Sequence, residues 1–380
     1  MVSDPSTRLS ATTPSVFFAT YFAVLGVVLP FLGPTLVAWG FGPVAVGFIT
    51  AAFPLAKFVY APFLGAWVDR GHWFPGILAV HVVLAGVCAA SLPWAGGAVL
   101  VGVLVFLIGL GHGTVLPLVE AVVLERLPDI GYGRLRLWGS IGFVVVAVGW
   151  PAVLGDADPD IFPWALVASL LLLGFACLPF EGIARPPVPE SAHPIPGRVW
   201  ALIGVLFLHQ VAHGPFYAFL SIHLQASGFA ADSVGLLWSV AVVAEMAAFI
   251  LSRRLELRFG HRKLLGFALA ITPLRWVLLA LPLSPAIVVL AQMGHAATFA
   301  LTHLAGIQLV QRHVPPNARR HAQALYSGLT FGLGMVVGSA LAGPVYGSAG
   351  GSTAFLAAAG VSGVVFTLWL SLSRRLADVG

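Results

Sequence analysis

Twelve stretches of this chain are apolar for about 20 residues each, and little separates one from the next. They lie near 15–39, 43–67, 73–92, 97–124, 135–154 and 161–180, then near 199–225, 231–252, 263–281, 284–311, 319–341 and 352–373. A helix of that length spans the roughly 30 Å apolar layer of a bilayer, so twelve of them use about 240 residues and leave short loops. Charge supports the same reading. Only 9% of the 380 residues are charged, against about 25% in a soluble domain, so the chain cannot clothe itself for water. A secreted enzyme, a nucleic-acid binder and a disordered scaffold are thereby excluded, despite a net charge of +5. The first run follows a polar, Ser/Thr-rich start and has no small-residue cleavage site, so it reads as a span and not a signal peptide. Cys88 and Cys177 both sit inside apolar runs, which argues against a disulfide framework and against metal spacing.

The basic residues set the orientation. With the N-terminus inside, 17 of the 19 Lys and Arg fall in or beside cytoplasmic segments, and the other two, Lys57 and Arg275, lie within spans. Asp156, Asp158, Asp160 and Asp232 fall outside. This is a strong positive-inside pattern that places both termini in the cytoplasm.

An internal repeat divides the chain. At an offset of 188 residues, Gly40-Phe41 and Val46-Gly47 recur as Gly228-Phe229 and Val234-Gly235, and Gly26 recurs as Gly214. Leu137-Trp138-Gly139-Ser140-Ile141 recurs as Leu325-Tyr326-Ser327-Gly328-Leu329, and at a nearby offset Gly111-His112 recurs as Gly294-His295. The expected organisation is an all-α membrane protein of two six-helix bundles, 1–180 and 199–380, joined by a Pro-rich cytoplasmic linker at 181–198. Two bundles repeated in the same orientation suit a transporter that rocks around a site at the bilayer midplane.

Ionisable groups in a span cost about 2.5–3.5 kcal/mol each on insertion scales, so each needs a partner or a function. Lys57 and Glu245 occupy equivalent positions in the two halves, and a cation and an anion there can meet across the bundle interface. Protonating Glu245 would break such a pair, which is a route to coupling a proton to a change of access; a permanent salt bridge is the alternative. Arg275 suits recognition of a substrate carboxylate, or equally pairing with Glu245. Glu120 lies within reach of Arg134 or Arg136, an expected structural ion pair at the membrane edge. His112, His209, His213, His295 and His303 fall near helix centres, where histidine serves as a proton relay, a hydrogen-bond partner or an ordinary interior residue. His209 and His213 have i, i+4 spacing but no third ligand nearby, so no metal is expected. Between the second and third runs, Asp69 and Arg70 form an acid-base loop that can lock the cytoplasmic ends, and Arg258 lies in the equivalent second loop.

Several stretches go further. They include Tyr132-Gly133-Arg134-Leu135-Arg136-Leu137-Trp138-Gly139-Ser140, His213-Gly214-Pro215-Phe216-Tyr217, Ala244-Glu245-Met246, Leu274-Arg275-Trp276 and His295-Ala296-Ala297-Thr298-Phe299 with His303. On these the chain resembles a major facilitator superfamily transporter, and more closely the 3-phenylpropionic acid transporter family, related to the lactose permease and nucleoside:proton symporters. The resemblance implies proton-driven import across a bacterial inner membrane. It also implies that Glu245, Arg275 and His295 or His303 bind substrate and handle the proton. The helix 2–3 loop departs from the superfamily motif at His72 and lacks a spacer before Gly71, and the second copy has Leu257 in place of the acid.

The first expectation is a proton-coupled symporter for an aromatic carboxylate, with Glu245, His295 and His303 coupling the proton. Lys57, Arg275, His213, Tyr217 and His112 would contact substrate. A sugar or nucleoside symporter comes second, because the histidines, Tyr217, Gln210 and Gln292 can satisfy hydroxyls. Proton-antiport efflux is third. No phosphate-binding loop or nucleophile-base set appears, so no enzyme and no cofactor are expected, only the proton gradient as driving force. The expected partners are a small-molecule substrate, protons and lipid, with no nucleic acid, in a monomer.

Overall fold

The computed structural model describes residue 10 and residues 12–70, 72, 76–127, 132–154, 159–181 and 194–376. Every regular element among the described residues is helical. The first half holds α1 (Thr12–Ala38), α2 (Pro43–Asp69), α3 (Ile77–Ser91), α4 (Ala98–Arg126), α5 (Tyr132–Leu154) and α6 (Phe162–Cys177). The second half begins with α7 (Gly197–Val211), α8 (Gly214–Ala226), α9 (Ala231–Phe259) and α10 (His261–Ala280). It continues with α11 (Pro285–Met293), α12 (Thr302–Arg312), α13 (Arg319–Ser327) and α14 (Met335–Arg375). π-helical segments, Ala296–Leu301 and Gly328–Gly334, join α11 to α12 and α13 to α14. Most of the linker, 182–193, and Asp156 and Asp158 of the acidic loop lie outside the described residues.

Ten helical stretches among the described residues are long and apolar enough to cross a membrane, and Leu137–Pro151 is a shorter apolar one. The stretch from His321 to Arg375 has 55 residues, about 80 Å if straight, far more than a bilayer needs. It breaks at Gly350, where φ is 78° and ψ is 175°. Before the break α14 packs on α2 and α8, with Gly343 against Val44 and Gly338 against Gly214; after it, α14 packs on α10, where Trp369 covers Gly266 and Ser362 accepts from Trp276.

The repeated residues make repeated geometry. Gly40 and Gly228 both take positive φ, 85° and 89°, a conformation that a Cβ disfavours. Phe41 N–H then donates to Leu36 O at 3.0 Å, and Phe229 N–H to Leu224 O at 3.1 Å, so the same helix-ending turn closes α1 and α8. Gly26 lets α1 approach the backbone of α5 at Phe143, and Gly214 lets α8 approach α14 at Gly338. Gly47 brings α2 against α14 at Ser339 and Gly343, while Gly235 brings α9 against Ala147 of α5. Small residues are the device by which helices in lipid come into close contact. Two of the crossings between the halves, α2 on α14 and α5 on α9, are therefore built on equivalent glycines.

Three local features were not legible as runs of apolar residues. Residues 199–225 read as one helix, but the chain turns at Ala212-His213 between α7 and α8. Pro215 follows and has no N–H to bond Val211 O, and Gly214 is pressed against α14. The π-helical segments interrupt two other runs; each turn there holds an extra residue and re-aims the side chains on either side. Glu181, at the start of the expected linker, caps α3. Its carboxylate accepts from Gly76 N at 2.8 Å and Ala79 N at 2.6 Å, and a negative charge at a helix N-terminus is stabilising.

Candidate functional site

Glu245 sits midway along α9, and His295 precedes the first π-helical segment. His295 Nε2 lies 2.9 Å from Glu245 Oε1, with the two side chains 5% and 16% exposed. Glu245 thus meets a histidine of its own half. Around the pair, the His295 ring packs on Phe216 at 4.9 Å and stacks on Phe299 at 5.2 Å. His213 lies 6.3 Å away, centroid to centroid.

Arg275 of α10 is only 2% exposed and lies against the rings of Phe216 and Trp276, at 4.3 and 4.5 Å. Its Nε donates to Ala291 O at 2.7 Å, and its terminal nitrogens donate to Thr298 Oγ1 at 3.2 Å and Gln292 Oε1 at 3.3 Å. Its described hydrogen-bond acceptors are neutral. Gln292 is fully buried and spends its amide on structure, since Nε2 donates to Leu237 O on α9 at 2.9 Å. Its sequence-level role as a partner for substrate hydroxyls gives way to one of tying α9 to Arg275.

The α7–α8 break gathers the next group. His213 is its last residue, fully buried, and Nδ1 donates to His209 O at 2.9 Å. A carbonyl only accepts, so Nδ1 carries the proton and Nε2, which has no protein partner, presents a lone pair. The side chains of Tyr217 and Gln210 share a hydrogen bond. His209 Nε2 donates to Thr298 O at 2.8 Å. The i, i+4 histidines therefore anchor on different carbonyls, and among the described residues no group of three or more His, Cys, Asp or Glu could hold a metal. His303 lies further along α12, with Nδ1 3.4 Å from the Tyr326 hydroxyl and its ring stacked in line with Phe299. His295 and His303 share the Phe299 ring, and His295 touches Glu245. A small cavity opens between α7 and the two π-helical segments, lined by His209, Gln210, Thr298, Thr302, Tyr326 and Thr330. Thr302 and Thr330 escaped the sequence reading, and Thr298 and Tyr326 entered it without a site role, although their i, i+4 pairs inside apolar runs were a visible signal.

In the first half, His112 is 1% exposed, donates from Nε2 to Tyr21 O at 3.0 Å and stacks on Tyr21 at 4.0 Å. Lys57 packs along Gly113 within electrostatic reach of His112. The repeat thus maps Lys57 and His112 onto Glu245 and His295. Among the loop residues, Arg70 caps α2 and is exposed, and Arg258 lies 5.3 Å from the Phe259 ring at the end of α9. The side chains of Asp69, Arg134 and Arg136 lie outside the described residues, so the expected pairing of Glu120 and the acid-base loop falls there too.

Residues 12–357 match the MFS_1 like family. The "Probable 3-phenylpropionic acid transporter" of Escherichia coli (strain K12) is 28% identical over 345 residues, covering 87% of this chain and 89% of that protein. The maltose permease of Geobacillus stearothermophilus is 27% identical over 337 residues, 84% of each chain. Among solved structures, a mutant of the nucleoside transporter NupG superimposes with a TM-score of 0.83 at 18% identity, covering 95% of this chain and 99% of that one. At that identity the likeness speaks for the fold.

Proposed function

The chain belongs to the MFS_1 like family, and on that premise we propose that it is a proton-coupled symporter importing a small organic solute by alternating access. The observation that carries the reading is the buried Glu245–His295 pair at 2.9 Å. A carboxylate inside a bilayer is costly, and an imidazole is the one neighbour that can share or yield a proton near neutral pH. A proton taken up by Glu245 removes its charge and weakens the charge-assisted hydrogen bond that ties α9 to His295 at the head of the π-helical segment. Without that proton, the tie regains its strength. Solute binding beside the pair and proton loading on it are thereby coupled. Arg275 keeps a fixed positive charge nearby, held in place by Ala291, Thr298 and Gln292.

The architecture supporting this reading is twelve spans in two six-helix bundles, with 181–198 as linker. The 55-residue stretch split at Gly350 counts as two spans and Leu137–Pro151 as part of another. Basic-residue placement favours cytoplasmic termini, and the proposal is completed by a bacterial inner membrane and a monomer. Arg275 donates to three protein acceptors, and its guanidinium has five N–H groups, so an aromatic carboxylate keeps its place beside a sugar or nucleoside as the candidate solute.

The test is solute-driven proton movement in proteoliposomes holding an internal pH dye. Solute added outside should acidify the interior, and Glu245→Gln should remove the signal while solute binding persists. Retained acidification in that variant would sink the coupling role. Acidification driven by an outward solute gradient, protons entering as solute leaves, would move proton-antiport efflux into first place.

A further inference from the structure

The small cavity between α7 and the π-helical segments says what kind of solute fits. His209 and Gln210 line it and are 3% and 2% exposed. Because Thr298 O accepts from His209 Nε2 at 2.8 Å, that nitrogen holds the ring proton and Nδ1 is a bare acceptor. Neither His209 Nδ1 nor Gln210 Nε2 has a protein partner. One buried acceptor and one buried donor therefore flank a space with room for about one water-sized group. Thr302 and Thr330 add hydroxyls that already donate, to Ala297 O and Tyr326 O, and so keep lone pairs for accepting. No Asp, Glu, Lys or Arg lines the cavity.

A hydroxyl group answers that arrangement on both sides: its hydrogen goes to His209 Nδ1 and its oxygen takes one from the Gln210 amide. A carboxylate has no hydrogen to give, and would set its own lone pairs against that of Nδ1. We infer that the solute is a neutral polyhydroxylated compound, a sugar or a nucleoside, and that one of its hydroxyls seats between His209 and Gln210. This rests on the transporter reading above and narrows it. Buried polar groups left unpaired are costly, so a site of this kind discriminates strongly against a solute lacking the hydroxyl.

The experiment measures binding and transport separately, with maltose, uridine and 3-phenylpropionate as probes. Calorimetry uses the full chain in detergent, and the proteoliposome assay reads proton movement. Maltose or uridine should bind, and whichever does names the source of the hydroxyl; 3-phenylpropionate should not. His209→Phe should weaken that binding about 10- to 100-fold, as expected for loss of one buried hydrogen-bond partner. His209→Gln, which keeps a donor for Thr298 O and an acceptor for the solute, should restore most of it. Elution as a single folded species keeps the comparison fair. Binding of 3-phenylpropionate that is indifferent to His209→Phe, with neither neutral probe bound, would overturn the hydroxyl site and leave symport standing. Binding of a neutral probe without any proton movement would keep the site and remove symport. Silence from all three probes in folded protein would overturn the assignment.

Discussion

The two halves share a scaffold and differ in chemistry. Lys57 and His112 in the first half correspond to Glu245 and His295 in the second, yet only the second pair is a carboxylate with an imidazole at 2.9 Å. In the first half His112 is anchored on Tyr21 O and stacked on the Tyr21 ring beside Phe53, along helices that run without a π turn among the described residues. The second half breaks α7 from α8 at His213 and carries both π-helical segments, beside His295 and beside the cavity. What stays equal is what packing demands: Gly26 with Gly214, and Gly47 with Gly235, at equivalent crossings. What diverges is the chemistry within the spans: Lys57 near His112 in one half, Glu245 against His295 in the other.

That contrast can be broken most directly at the equivalent pair. Glu245→Gln should abolish solute-driven proton movement, a loss of about 100-fold or more, of the kind seen when a group that transfers the proton is removed. Lys57→Met should slow it by less, and equal losses in the two variants would erase the asymmetry. A second test asks whether the scaffold really is symmetric. Gly235→Val and Gly47→Val each place carbon atoms into the backbone of the facing helix, and each should cost about 1–3 kcal/mol or more, read as a lower Tm and slower transport. A harmless substitution at one site only would show that one crossing bears the halves together.

Smaller effects sharpen the contrast. Gln292→Leu removes a support of Arg275 and the bond to Leu237 O, and should cost about 1–3 kcal/mol in thermal unfolding while raising KM. An unchanged KM would confine Gln292 to structure. Smallest should be Glu181→Ala in the first half, about 1 kcal/mol from an uncapped α3, with solute-driven proton movement intact. Loss of that movement would give the first half a part in the cycle that its regular packing does not suggest.

The scaffold was legible in the sequence for a physical reason. A bilayer tolerates little besides long apolar helices, and helix crossings built on glycine leave glycine in register, so Gly40 with Gly228 and Gly47 with Gly235 announced themselves at one offset. The identity of the costly residues was legible too, because Glu245, Arg275 and the histidines stand out in apolar runs. Their partners were not. Equivalent positions linked Glu245 to Lys57, but the contact with His295 depends on which helices adjoin and which way a turn aims its side chains, and a π turn changes that aim without changing composition. Gln292 shows the same limit, since nothing in its run distinguishes an amide free for a solute from one spent on Arg275 and Leu237. The chain by itself determined that it enters a membrane as repeated helices carrying a few expensive polar groups. Only the packing decided that His295 answers Glu245, and that His209 and Gln210 keep a free acceptor and a free donor, because hydrogen bonds are settled by distance and direction in three dimensions.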